Sequence, residues 1–264
     1  MTTYTHGHAE PVLRSHRWRT AENSAGYLLP HLRATDALLD VGCGPATITA
    51  DLADRVGRVV GLEHTQEAVD VARAELQRRG HGDVEVLRGD VHALDLPDDS
   101  FDVVHAHQVL QHAADPVQAL REMARVCRPG GTVAVRDSDY AAFAWYPECR
   151  GLTRWMELYQ AAATANGGQP QAGRRLLAWA HEAGLTDVTA SSSTWCFATP
   201  QDRQWWGGMW ADRIQRSALA EQLLTSGLAT QDDLDLVTAG WQRFAGDDDA
   251  WMSLLHGELL VRVP

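Results

Sequence analysis

The chain has 264 residues, 45% apolar and 22% charged, with a formal net charge of −12. Such a composition belongs to an ordinary globule with enough core to fold unaided, as one large domain or one domain with a sizeable insertion. The negative field repels phosphate backbones and argues against non-specific binding to nucleic acid or anionic membranes. All 23 basic residues are arginine, and the missing lysine amine excludes Schiff-base chemistry and the Lys-dependent phosphate loop.

Residues 9–33 predict two helical pieces, the second capped by Thr20 with Glu22 in its first turn and ended around Pro30. A regular alternation follows. A strand at 37–41 leads through a glycine turn to a helix at 47–56, where Ile48, Leu52 and Val56 recur every four residues. The strand RVVGLE (58–63) leads to Thr65 as a cap and to a helix closed by Gly80. A strand at 84–88 ends at Gly89-Asp90, and another opens at Phe101. A helix begins at Asp115-Pro116, CRPGG terminates it, and GTVAVRD is the next strand. Five strands with mostly helical connections predict right-handed crossovers and a parallel sheet.

After Asp137 the alternation breaks. Residues 138–170 contain a helical segment, 173–183 a helix, 187–198 a strand, 200–246 helices and 250–263 a closing strand. Segments inserted after strand C-termini overlie the crevice where open α/β sheets bind ligands. The expected arrangement is therefore a single domain with a core at 36–137, completed by 171–199 and 247–264. Residues 1–35 and the insertions 138–170 and 200–246 form its helical lid. The four cysteines (Cys43, Cys127, Cys149, Cys196) make no C-x-x-C pair, and no apolar leader or membrane-length run is present. Those features predict a cytoplasmic protein without a membrane partner.

The stretch ALLDVGCGPAT (37–47) carries the chemistry. A dinucleotide fingerprint needs a third glycine at 47, where Thr47 stands. LLDVGCGPA instead resembles motif I of the class I S-adenosylmethionine-dependent methyltransferases, acid-x-G-x-G-x-G, with Ala46 at the third glycine. Later motifs follow in the same order, with Glu63 ending the second strand, Asp90 after the third, then FDVVHAHQVLQHAADP and CRPGGTVAV. The string is similar to the ubiquinone/menaquinone-biosynthesis type and its small-molecule relatives, closely over residues 36–137.

The resemblance implies a Rossmann-like, seven-stranded, mostly parallel sheet with helices on both faces, and S-adenosyl-L-methionine as cofactor. Gly42 and Gly44 would let the backbone lie against the methionyl part, which agrees with their lack of a Cβ. Asp40 would orient the turn and the cofactor's ammonium, Glu63 would accept both ribose hydroxyls, and Asp90 with the Val91 N–H would hold the adenine. His107 and Gln108 would lie near the sulfonium, and Thr47 and His64 complete the expected cofactor set.

Methyl transfer needs an in-line nucleophile and, for a protonated acceptor, a base. Candidates are His107, His112, Asp137, Asp139, Tyr140 and His256, three of them histidines, a residue type that titrates near neutral pH. His6-x-His8 and His105-x-His107 have metal-like spacing but form no closed site on a strand, so no metal is expected. Nine of the ten tryptophans follow residue 144. Tyr27, Tyr140, Trp145, Tyr146 and Trp210 are the candidate substrate contacts for an aromatic acceptor, such as an indole or polyketide secondary metabolite. A quinone-ring C-methyltransferase and a non-catalytic cofactor sensor are the competing expectations. A monomer or homodimer acting on a small molecule is the expected assembly.

Overall fold

The computed structural model describes residues 18–264. The first helical piece, His6 and His8 lie outside the described residues. The chain divides into two compact units. The larger contains residues 18–138, Ala172–Ser193 and His256–Pro264, and the smaller Asp139–Gln171 and Thr194–Leu255. Two of the divisions fall inside long strands, at Ser193/Thr194 and Leu255/His256, one follows Ser138 at the end of a strand, and one lies in the loop at Gln171/Ala172.

In the larger unit the strands are β1 (Ala37–Val41), β2 (Arg58–Glu63), β3 (Glu85–Arg88), β4 (Phe101–His107) and β5 (Cys127–Ser138), together with parts of β7 (Val188–Phe197) and β8 (Trp251–Arg262). They are ordered β3-β2-β1-β4-β5-β8, with β7 also paired to β8. Leu39 pairs in parallel with Val60 and Val104, and Val104 with Val133, while Val133 pairs antiparallel with Val261. The order reverses between β1 and β4, which creates the crevice at the strand C-termini where such sheets take ligands.

Helices cover both faces of this sheet. Helix α1 (Ala21–Ser24) and α2 (Thr47–Ala53) bury Leu28, Ile48 and Leu52 with Leu38, Val103 and Ala134. On the other face, α4 (Pro116–Val126) and α6 (Leu176–Glu182) bury Leu120, Met123, Leu176 and Ala180 against Leu39, Val104 and Val133. Between α2 and α4 in the chain, α3 (Gln66–Arg79) packs Val69, Ala72 and Leu76 beside Val86. Thr20, Thr65 and Asp115 accept from backbone N–H groups at the starts of α1, α3 and α4, satisfying donors that a helix cannot pair internally.

Three expectations at element ends are corrected. Helix α2 stops at Ala53, short of residue 56. Pro30 sits inside a single 3-10 turn, Leu29–His31, where its missing N–H is harmless. Strand β5 begins at Cys127, not after the glycines, because Cys127 pairs with Phe101 ahead of a register shift.

The smaller unit packs α5 (Arg150–Ala165), α7 (Pro200–Arg216), α8 (Ala218–Thr225) and α9 (Gln231–Gly246). A short strand that the sequence did not suggest, β6 (Ala144–Tyr146), pairs antiparallel with Trp251–Ser253. Its core is aromatic. Trp155 meets Trp210 and Trp241 edge-on, each at 4.8 Å between centroids, and Tyr159 stacks on Tyr140 at 4.0 Å. Edge-to-face contact is the favoured geometry for such rings.

Candidate functional site

The site begins at the turn between β1 and α2. Gly42, Gly44 and Ala46 all take left-handed φ, at +64°, +56° and +59°. A Cβ at Gly42 would lie 2.5 Å from Val109 Cγ2, so both conformation and space require glycine there. Val109 follows β4, and its contact sets the His107-Gln108 corner against the glycine turn. The Gly42 and Cys43 N–H groups donate to Leu62 O at 2.8 and 3.2 Å, anchoring the turn to β2.

Glu63 closes the turn from β2. Gly44 N–H donates to its Oε1 at 2.7 Å and His64 N–H to its Oε2 at 3.0 Å. Asp40 works from beneath. At 2% exposure, its carboxylate accepts from Thr49 Oγ1 at 2.6 Å and from His105 Nδ1 at 2.8 Å. Thr47, the first residue of α2, is likewise buried. Asp90 is exposed, and its Oδ1 accepts from the His92 backbone N–H at 2.9 Å, which holds its carboxyl below the usual value. Val91 is half-buried beside it, and His64 is exposed.

The C-terminal ends of β4 and β5 and the middle of the antiparallel β8 carry a buried polar row on one face of the sheet. His107 is 5% exposed and its ring stacks on His256 at 6.1 Å. Burial, together with the nearby Arg136 and Arg19, pushes the His107 pKa well below 6.5, so the ring is neutral at pH 7. Arg136 Nε donates to Glu258 Oε1 at 3.2 Å and Arg136 Nη2 to Ser193 Oγ at 3.1 Å. Ser191 donates to the other Glu258 oxygen at 2.9 Å. Burial draws the Arg136 guanidinium down to about 10. The Tyr27 hydroxyl is buried without a hydrogen-bond partner among the described residues, and burial raises its pKa well above 10.

On the opposite face, Asp137 is buried and accepts from Gln111 N–H at 3.0 Å, while burial raises its carboxyl to about 7. Ser138 N–H donates to Gln111 Oε1 at 3.3 Å and thereby orients that amide. Gln111 Nε2 then donates to His112 Nε2 at 3.0 Å, which places the His112 proton on Nδ1.

The larger unit therefore contains all the expected cofactor residues together with Tyr27, His107, His112, Asp137 and His256. The remaining candidates belong to the smaller unit. Tyr140 packs between Phe143 and Tyr159, Trp145 is half-buried, and Tyr146 is 59% exposed. Trp210 is 1% exposed, enclosed by Trp155, Tyr159 and Trp241 with Arg213 over its ring, so it is a packing residue of that unit's core. Among the described residues no group of three or more His, Cys, Asp or Glu side chains is placed to hold a metal ion, and no helix is long and apolar enough to cross a membrane. Sequence reading missed Arg19, Thr49, Arg136 and Glu258. An arginine inside GTVAVRD and a glutamate inside HGELLVRV were the available signals, since a charge in an apolar strand is buried only when paired.

S-adenosylmethionine presents a carboxylate, an ammonium, two ribose hydroxyls and an adenine. The residues fit it. Gly42, Gly44 and Ala46 take left-handed φ in a turn against which Val109 packs at Gly42, and each Glu63 oxygen accepts from a backbone N–H at that turn.

A family model described as a methyltransferase domain matches residues 39–135. An uncharacterized methyltransferase of Schizosaccharomyces pombe is 34% identical over 98% of this chain and 96% of its own. The demethylmenaquinone methyltransferase of Lactococcus lactis is 31% identical over 42% of this chain and 46% of its own. Among solved structures, the phosphoethanolamine N-methyltransferase 2 of Haemonchus contortus, in complex with phosphomonomethylethanolamine and S-adenosylhomocysteine, shares the fold with a TM-score of 0.56. It is 16% identical, with 88% of this chain and 50% of that one covered. The nearly full-length likeness to the fission-yeast protein, together with the glycine turn and the parallel sheet, shows that this chain belongs to the S-adenosylmethionine-dependent methyltransferases.

Proposed function

We propose that the chain methylates a small acceptor at carbon, nitrogen or oxygen, with His107 receiving the acceptor's proton where one is released. The observation that carries this reading is the seating of the His107-Gln108 corner on the cofactor turn through Val109 and Gly42. His107, two residues before Val109 and neutral at pH 7, supports this reading as a group able to accept a proton.

When bound, S-adenosylmethionine would supply an electrophilic sulfonium methyl for transfer to the acceptor, with a neutral thioether as the leaving group. The chain's own residues orient and shield. Gly42 and Gly44 would let the backbone approach the cofactor, Glu63 would accept from the ribose hydroxyls, and Asp90 with the Val91 N–H would hold the adenine. Asp40 acts from within, holding α2 to β4 through Thr49 and His105. Holding the reactants in line supplies up to roughly 7–11 kcal/mol of the barrier reduction.

The finer acceptor class is an aromatic secondary metabolite. Its support is the aromatic surface that Trp145 and Tyr146 offer on the smaller unit. Calorimetric titration with S-adenosylmethionine tests the cofactor site. Binding should weaken about tenfold or more in Glu63→Ala, through loss of charge-assisted hydrogen bonds, and less in the exposed Asp90→Ala; unaltered binding in both would overturn the residue roles. Incubation with methyl-labelled cofactor and a panel of aromatic acceptors tests transfer. Label reaching none of them while quinones accept it would move the function to quinone-ring methylation, and binding without any transfer would make the chain a sensor.

A further inference from the structure

Gln108 occupies an unusual backbone state for a side chain of its size, with φ +55°. Its N–H donates to Arg136 O at 2.7 Å, which ties the corner after β4 to β5. Such conformations persist where the surroundings over-determine them, and they cluster at functional sites. The amide that this corner presents is bonded at both ends. Arg19 Nη2 donates to Gln108 Oε1 at 2.7 Å, and Gln108 Nε2 lies 2.9 Å from His256 Nε2.

The proton positions follow from the chemistry of the partners. A guanidinium only donates, so the amide atom facing Arg19 is the oxygen and the atom facing His256 is the NH2 group. That group also only donates. His256 Nε2 must therefore accept, which requires its lone pair and forbids a proton on that nitrogen. A ring accepting at Nε2 is neutral and carries its proton on Nδ1. His256 is 0% exposed, so no water exchange competes for the nitrogen.

We infer that Gln108 is a positioning residue which, oriented by Arg19, fixes His256 as the neutral Nδ1–H tautomer and so assigns proton acceptance on this face to the stacked His107. The lone pair of His256 Nε2 is occupied by the amide, so His256 supports its neighbour without receiving the acceptor's proton. The assignment to His107 rests on the proposed methyl transfer. The tautomer of His256 does not.

The test uses the full chain labelled with 15N-histidine, with long-range proton–nitrogen correlations recorded at pH 7 and the His256 signals assigned by their loss in His256→Asn. The expected spectrum has an unprotonated Nε2 and a protonated Nδ1 for His256. In Gln108→Glu the carboxylate accepts but cannot donate, so the Nε2 signal should move to the protonated range. A protonated Nε2 in the wild-type chain, or a His256 spectrum unchanged in Gln108→Glu, overturns the inference. Should that variant fail to fold, the wild-type spectrum alone decides. Failure of the methyltransferase reading would appear separately, as absent cofactor binding in calorimetry with His256 still in the expected tautomer.

Discussion

Gly42 shows what a single hydrogen-for-methyl exchange does when two constraints coincide. The residue sits at φ +64°, and its missing Cβ leaves room for Val109. Gly42→Ala should destabilise the chain by about 2–4 kcal/mol, combining left-handed strain with an overpacked contact, and should abolish cofactor binding. Adding Val109→Ala removes the steric part and should restore some of the unfolding midpoint in urea. A double variant no more stable than Gly42→Ala would refute the contact. Ala46 teaches a related lesson. In sequence it reads as a small residue replacing a small glycine, and size is satisfied. The structure shows that the position also takes left-handed φ, at +59°, a conformation that spacing and residue volume do not reveal.

Glycines also decide how closely whole elements approach, and two of them make opposite predictions. A Cβ on Gly240 of α9 would lie 2.9 Å from Gly151 Cα of α5, whereas a Cβ on Gly208 of α7 would meet nothing within 4 Å. Glycine-to-alanine exchange in an open helix position stabilises by about 1 kcal/mol. Gly208→Ala should therefore raise the thermal midpoint. Gly240→Ala should lower it by the equivalent of about 1–3 kcal/mol, because backbone atoms cannot yield as a flexible side chain does. Midpoints moving in the same direction would sink the proposed close approach. Neither sign is readable from the helical pattern, which treats both glycines alike. What the pattern does convey is local and periodic. The alternation from Ala37 to Asp137 specified five parallel strands, and Thr20, Thr65 and Gly80 marked helix ends because capping is a property of a few adjacent residues. The early start of β5 and the existence of β6 depend on pairing with Phe101 and with Trp251–Ser253, which are distant in sequence.

Across the molecule, the acidic net charge comes from the whole composition, while two buried groups of the larger unit make stability depend on pH near neutrality. Sequence identifies His107 and Asp137 as titratable but not as buried, and burial supplies the leading cause of both shifts. The two act in opposite senses. His107 is held below 6.5, so as pH falls under that value the unfolded chain binds a proton that the native ring refuses, and stability drops. Asp137 rises from 3.8 to about 7, so its contribution is complete below 3.8 and is lost as pH rises through 7. That interval corresponds to on the order of 4 kcal/mol, of which about 3 falls between pH 5 and pH 8. Asp137→Asn isolates this contribution, because the amide oxygen still accepts from Gln111 N–H while the titration disappears. Urea unfolding at pH 5 and pH 8 should show stability rising more with pH in the variant than in the wild type, by about 3 kcal/mol. The same pH dependence in both chains would mean that Asp137 is ionised in the native state throughout this range, with its negative charge then stabilised by the Leu110–Gln111 N–H groups that cap it.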